Sequence, residues 1–392
     1  MISAPQTGPP CPGCNSTTSD AIMDADRVPV HSVQLATSRD AARAVPVGDI
    51  RLRFCRGCGL IWNAAFDRDR AHYDARYEST QACSETFSDF HRDLAARLVA
   101  GLDLAGKHVV EIGCGQGEFL ALLRDEGVGR VTGFDPASRA PDGEGIQIHA
   151  KYFSAADLTD GADFLCCKMT LEHIPDPVVF LTAVREALGN GGDPLVYFLV
   201  PDATRILSEG AFWDIFYEHV LYFTPETLAR VFQHAGFEIC AIESEYNGQY
   251  CSVIARPRPS VAAEESIDGP STTLVESALG LGARIGTQIE TWASRLSADG
   301  ATAKRTVIWG GGSKAVAFLA ALQGRIEIAG VVDINPLKQN TFLPKVANRI
   351  IAPSLLREIL PDRVVVMNPA YEAEVQAELR EMGLGPELLV LD

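Results

Sequence analysis

Val109–Leu120 reads VVEIGCGQGEFL: a short apolar run, a glycine-rich turn and the opening of a helical pattern. That order lets backbone approach a nucleotide-like ligand closely, because glycine turns at no steric cost and leaves no side chain in the way. Gly113, Gly115 and Gly117 supply the turn. Downstream, VTGFDP (131–136) reads as a second buried strand that ends in an acid, and Asp135 stands where a carboxylate hydrogen-bonds ribose hydroxyls. Together they indicate a nucleoside-cofactor site in an α/β domain.

Which nucleoside depends on detail, since GxGxG also occurs in dinucleotide enzymes and in ordinary tight turns. Glu111 ends the strand just before the loop, and the spacing is GxGxG rather than GxGxxG. In both respects the stretch resembles motif I of the class I S-adenosylmethionine (SAM) methyltransferases. Acids near the loop suit a cofactor with a sulfonium and an amino group better than one with a pyrophosphate. A dinucleotide and a purely structural turn remain as alternatives.

At 392 residues the chain exceeds what one core usually supports, and 47% hydrophobic residues are enough to fill more than one. A formal charge of -17 repels phosphate backbones, and no Lys/Arg cluster relieves it, so nucleic acid is not an expected partner. No apolar run reaches the ~18 residues of a membrane helix, which excludes a membrane partner. MISAPQTGPPCPGC lacks the basic and apolar parts of a signal peptide, so a cytoplasmic protein is expected.

In a reducing compartment, paired cysteines point to a metal rather than a disulfide. Cys11 and Cys14 (CPGC) and Cys55 and Cys58 (CRGC) form two such pairs, 40 residues apart. Each pair can present two thiolates from one turn, and four thiolates make a closed, structural zinc site. The alternative is four unrelated or redox cysteines. HSVQLATS (31–38) and IRLRFCRGC (50–58) alternate as the two strands of a hairpin between the pairs. Cys114, Cys166 and Cys167 read as small core residues.

The chain divides into a zinc-binding domain at 1–70, a SAM-binding domain at 71–258 and a Rossmann-like domain at 259–392. Residues 71–102 carry Tyr73 and Tyr77 and then a helical pattern. From Lys107, strands and helices alternate as VVEIG, FLALLRD, VTGFD, ADFLCCKMTLEHI, PVVFLTAVREAL, PLVYFLV, TPETLARVFQHAG, FEICAIESE and CSVIARP. The pattern implies a mostly parallel, doubly wound sheet closed by antiparallel strands. ARPRPSVAAEESIDGPST (255–272) reads as a linker, followed by a helix through about Leu296. RTVIWGGGSKAVAFLAAL (305–322) then starts a second α/β unit, continued by IAGVVDINP, RVVVMNPAY and ELLVLD. Its turn, Gly310 to Lys314 with Ser313, is either an anion site for a diphosphate or nucleotide at a helix N-terminus, or a turn retained for packing.

The ordered set of paired cysteines, YEST and SETF, EIGCGQG, LEHIPDP, YEHVLYFTPETL, GGGSK, VVDINPLKQNTFLP and VVVMNPAY covers nearly the whole chain. It resembles the zinc-containing, three-domain SAM-dependent C-methyltransferases that act on nucleotide-linked deoxyketosugars in antibiotic and glycan pathways. The resemblance implies a class I methyltransferase domain between a small zinc-binding domain and a Rossmann-like domain that helps to grip the acceptor's nucleotide. It also implies that His219 is a base assisted by Glu218, that His173 contacts the ketosugar, and that Tyr73 and Tyr77 cover the cofactor or substrate.

Methylating the carbon beside a ketone requires a base, a donor to the enolate oxygen and a methyl sulfonium in line. Imidazole, with a pKa of about 6.5, suits the first task. The family commonly carries a tyrosine three residues before the base, where this chain has Phe216, which cannot donate a hydrogen bond. Either Tyr217 or Tyr222 substitutes, or the chemistry is methyl transfer to nitrogen or oxygen of a sugar or another small metabolite. Asn247, in the turn NGQ (247–249), replaces a family histidine, and Asp163 reads as a capping residue. A non-catalytic binding module is the third reading, and the intact Glu111, Gly113, Gly115, Gly117 and Asp135 argue against it.

Overall fold

The computed structural model describes residues 6–391, apart from 75, 79, 141–142, 144, 159–160, 190–192, 259–268 and 298–303. Most of the expected linker therefore lies outside the described residues. The first sheet is antiparallel and contains β1 (Gln6–Thr7), β2 (Thr18–Pro29), β3 (Val47–Cys55) and β4 (Ile61–Asn63). This corrects the expected hairpin, because β3 pairs with Thr18–Pro29 and not with HSVQLATS. β2 exposes Asp24 and Asp26, while Ile22 is buried and Asp20 is buried against Arg56. His31–Ser38 instead runs irregularly toward the centre of the molecule, with single bridges from Gln34 to Tyr77 and from Ala36 to Phe342.

The central sheet contains β5 (His108–Ile112), β6 (Arg130–Phe134), β7 (Ile146–His149), β8 (Phe164–Lys168) and β9 (Leu195–Pro201). β10 (Leu221–Tyr222) leaves this region to pair antiparallel with β4. β11 (Phe237–Glu245) and β12 (Tyr250–Pro257) return to the central sheet, whose seven strands run β11-β12-β9-β8-β5-β6-β7. β9 through β7 are parallel, and β12 and β11 add antiparallel at the edge. The parallel strands are apolar along their length because helices cover both faces. Helices start where the turn chemistry directs. Ser84 caps Glu85–Gly101 through the Phe87 amide, Gly117 at φ 84° opens Glu118–Asp125, and Thr224 forms a capping box with Thr227 ahead of Pro225–His234.

The last sheet is parallel throughout, in the order β15 (Ile350–Ile351), β14 (Gly330–Val332), β13 (Thr306–Trp309), β16 (Arg363–Val366) and β17 (Glu387–Val390). One apolar core joins the first and last sheets. It includes Phe54 and Leu52, the 203–222 segment, the helices Thr272–Leu279 and Leu281–Leu296, and Ile308, Phe318 and Val365. At its centre Trp213 packs edge-on to Trp292 at 6.3 Å and against Phe212 at 5.0 Å, with Phe318 at 6.5 Å. No helix among the described residues is long and apolar enough to cross a membrane.

Trp213 is 1% exposed, so Trp213→Ala removes a ring that the first sheet, the Leu281–Leu296 helix and the last sheet share. The expected cost is about 3–5 kcal/mol. Urea unfolding followed by fluorescence and by circular dichroism should show this loss in both signals together; a loss in one signal alone would mean that the three parts unfold independently.

Candidate active site

Strands β5 and β6 end at the glycine loop. Gly113, Gly115 and Gly117 have φ of 73°, 56° and 84°, the left-handed region that glycine enters without strain. A Cβ on Gly113 would stand 1.9 Å from the Thr170 hydroxyl oxygen, so the tight turn has no room for any other residue. The loop is tied to the second strand by Gly113 N donating to the Phe134 carbonyl (2.8 Å) and Gly115 N donating to Asp135 Oδ2 (3.0 Å). Asp135 Oδ1 accepts from Ala137 N at 2.7 Å. Each oxygen keeps a lone pair for a ribose hydroxyl. Burial raises the Asp135 pKa against these two amides.

Glu111 is fully buried, and one of its oxygens is held by Lys168 at the end of β8. Its other oxygen has no partner and the residue lines the cavity, which leaves a charge-bearing acceptor for an amino group. Burial pushes the Glu111 carboxyl up, and Lys168 opposes this. Lys168 was not among the residues expected from sequence. The available signal was a lone lysine closing the apolar strand FLCCK.

The loop opens into one cavity of about 1050 Å³, which reaches across to the turn before the last unit's first helix. That volume exceeds the usual single-ligand range and has room for a cofactor together with an acceptor. Its far wall brings His173 and His219 together, with rings crossing at 4.9 Å and 88°. His173 follows β8 in a single 3-10 turn, and His219 sits in the loop ahead of β10. Tyr73 Oη lies 2.7 Å from His173 Nδ1. Burial and the neighbouring His173 push the His219 pKa down to about 3, against the pull of Glu218. Burial likewise lowers His173. Both imidazoles are therefore neutral near pH 7, with lone pairs available.

Glu218 points away from its neighbour His219. One oxygen accepts from the Ser32 amide (3.1 Å) and from the Ser32 hydroxyl, and the other is 3.1 Å from His31 Nδ1. These donors hold its carboxyl down at about 2 although burial opposes them. His31 and Ser32 were missed because HSVQLATS reads as a strand. Ser32 Oγ is also 2.7 Å from Ser313 Oγ. Its single proton goes to Glu218, so Ser313 is the donor of that contact.

The expected phenols do not reach the cavity. Tyr217 is buried in the shared apolar core, where its hydroxyl accepts from the Asp67 amide at 2.8 Å and its ring covers Gly48. Tyr222 accepts from the Phe216 amide (3.1 Å) and donates to the Phe216 carbonyl (3.0 Å), which uses its hydroxyl on backbone. Both are corrected as candidate donors. Tyr77 lines the cavity, but it packs beside His31 and Tyr73 at 5.7 and 5.0 Å rather than at Asp135. Asn247 is exposed in its turn, while Gln249 lines the cavity. Asp163 caps, through its acceptance from His108 N at 2.9 Å.

The four paired cysteines converge at the end of the first sheet. Cys11 and Cys58 Sγ are 3.6 Å apart, Cys14 and Cys55 Sγ are 3.5 Å apart, and all four lie within 4.8 Å of one another. A tetrahedral ion with metal–sulfur bonds near 2.3 Å sets its sulfurs roughly 3.8 Å apart, so the cluster can hold one. Amides of Gly13, Gly57 and Cys58 point at Sγ of Cys11 and Cys55, as thiolates require.

A doubly wound sheet with a glycine loop and acids at the ends of β5 and β6 defines a class I SAM-dependent methyltransferase, and this chain is one. Residues 84–242 match the family described as a methyltransferase domain, and residues 276–387 match the C-methyltransferase C-terminal domain. The chain is similar to the C-methyltransferase NovU of Streptomyces niveus, 29% identical over 345 residues that span 82% of this chain and 80% of that one. These two likenesses support a C-methyltransferase. A ubiquinone biosynthesis O-methyltransferase of Aromatoleum aromaticum is 28% identical over 160 residues, 34% of this chain and 65% of that one. Among solved structures, a 1,6-didemethyltoxoflavin-N1-methyltransferase of Burkholderia thailandensis is 21% identical with a TM-score of 0.35, covering 44% of this chain and 81% of that one.

Asp135→Ala removes the ribose acceptor and frees two loop amides, and Gly113→Ala forces a clash with Thr170. Calorimetric titration with SAM should show affinity lowered about tenfold to hundredfold by Asp135→Ala and more by Gly113→Ala. Unchanged affinity in both variants would place the cofactor elsewhere.

Proposed function

We propose that this protein methylates the carbon beside the ketone of a nucleotide-linked deoxyketosugar, with His219 as the base. The observation that carries the reading is a neutral, buried imidazole facing a cavity large enough for two ligands, in a chain whose last part matches the C-methyltransferases. Bound SAM supplies an electrophilic methyl group. Glu111 and Asp135 hold the cofactor's amino and ribose ends. His219 accepts the α-proton; no described hydrogen bond engages its ring, so its lone pair is free. Tyr73 donates toward the enolate oxygen in place of the family tyrosine, since Phe216, Tyr217 and Tyr222 offer no donor there. Glu218 acts on the loop that carries His219 by anchoring it to Ser32 and His31. The amides of Gly312 and Ser313, on the opposite wall, face the acceptor's nucleotide.

Incubation with SAM and nucleotide-linked 4-ketosugars in deuterated water, read by mass spectrometry, tests this reading. Methylated product, with deuterium entering unreacted ketosugar, is expected. His219→Ala should lose about 100- to 10,000-fold in turnover while SAM affinity is kept. The displaced phenols at 217 and 222 favour a second reading, methyl transfer to nitrogen or oxygen, which predicts product with no deuterium on carbon.

The four thiols hold a structural zinc in this reading, supported by their mutual spacing and the amides that face them. Elemental analysis should find it in the purified protein, and Cys11→Ser should lose it and lower the melting temperature. Zinc-free wild-type protein of undiminished stability would refute the assignment.

A further inference from the structure

Glu172 lies with the two histidines at the cavity wall, and burial pushes its carboxyl up to about 8. It is 1% exposed, and neither of its oxygens has a hydrogen-bond partner. A buried carboxylate is retained where a cation or several donors meet it. His173 Nε2, at 3.9 Å, is too far away to be such a donor. One ligand atom from each of Glu172, His173 and His219 falls within 4.8 Å of the other two. Two imidazole nitrogens and one carboxylate oxygen form the donor set of a borderline divalent ion such as zinc, with a position left for an oxygen of water or substrate. Bonds of about 2.0–2.2 Å place tetrahedral ligand atoms roughly 3.4 Å apart, so modest side-chain rotation closes the shell. Tyr73, at 2.7 Å from His173 Nδ1, fixes that ring with Nε2 toward Glu172, which is the outer-shell contact a metal-binding histidine needs.

We propose that Glu172, His173 and His219 form a second divalent-metal site, separate from the four cysteines, and that an ion bound there competes with proton abstraction by His219. An ion on the imidazole occupies the lone pair that would accept the α-proton, so the occupied enzyme binds SAM but does not form the enolate. The competition rests on the base role proposed above; the site itself does not.

The test begins with full-length protein already loaded with zinc at the cysteines, titrated with further Zn²⁺ by calorimetry and with Co²⁺ by absorbance. Wild type should take up a second equivalent, and its cobalt form should show ligand-field bands without the thiolate charge-transfer band that binding to a stray cysteine would give. Glu172→Gln and His173→Gln should each lose that equivalent while keeping the cysteine-bound ion and SAM binding, which also shows that they fold. Methyl transfer by wild type should fall as the second equivalent binds and recover when a chelator withdraws it. No uptake by wild type beyond the cysteine-bound equivalent, or undiminished uptake by both variants, would overturn the site. A second ion that binds through these residues and leaves turnover unchanged or raised would overturn the competition. Stoichiometry is read without any acceptor, so failure of the ketosugar reading leaves the metal result standing and distinguishable.

Discussion

The buried carboxylate of Glu218 is the constraint on which the geometry of the site depends. A charge at 1% exposure must be met by donors, since its desolvation costs several kcal/mol. The donors come from sequence positions far away, Ser32 and His31. Satisfying Glu218 therefore draws the N-terminal segment into the centre of the molecule. Ser32 in turn accepts from Ser313, at the first helix of the last unit. One charge thus ties two stretches of chain, at His31–Ser32 and at Ser313, to the loop that carries His219, and the cavity wall forms where all three meet.

A second set of contacts closes the opposite side along residues 77–87. Glu78 accepts from Arg139 (3.0 Å) beside the cofactor loop and from Asn335 (3.2 Å) of the last unit. Glu374 accepts from the Ser84 and Thr86 hydroxyls, and Tyr371 donates to Gln81 at 2.9 Å. The lead-in to the Glu85–Gly101 helix is thereby sandwiched between the methyltransferase sheet and the last sheet. The cavity is a joint product of the chain's parts, which accounts for its size.

The central sheet was legible because each parallel strand is a continuous apolar run followed by a turn or cap with its own chemistry. VVEIGCGQG and VTGFD read as two buried strands and a glycine turn, although the turn alone leaves a dinucleotide or a structural role open. The first sheet was harder to read. β2 carries three aspartates in twelve residues, Asp24 and Asp26 exposed and Asp20 buried against Arg56, so its alternation is diluted. HSVQLATS alternates for a different reason, namely that it threads a polar site with His31 and Ser32 both buried. The direction of neighbouring side chains was also illegible. Tyr217, Glu218 and His219 are consecutive, yet they face the shared core, the N-terminal segment and the cavity respectively. Only the loop conformation, fixed by contacts up to 187 residues away, decides this.

The last unit shows how far a shared backbone geometry constrains function. Gly310 N donates to the Val332 carbonyl (2.8 Å) and Gly311 N donates to Asp333 Oδ2 (2.9 Å), repeating the ties of Gly113 and Gly115 to β6 and Asp135. The electrostatics differ. Asp333 Oδ2 also receives Lys338 at 3.2 Å and Oδ1 the Asn335 amide at 2.8 Å, so its charge is paired and one oxygen, where Asp135 has two, keeps a lone pair. Lys314 is paired with Asp214, and Ser313 is committed to Ser32. The polar side chains of this turn serve to dock the unit on the 203–222 segment and on the N-terminal stretch. What it still presents to the cavity is backbone amide, which suits an anion held between parts better than a second nucleoside cofactor. The same strand, turn and helix therefore build a cofactor site where the acid is left open and a docking wall where the acid is paired with a lysine.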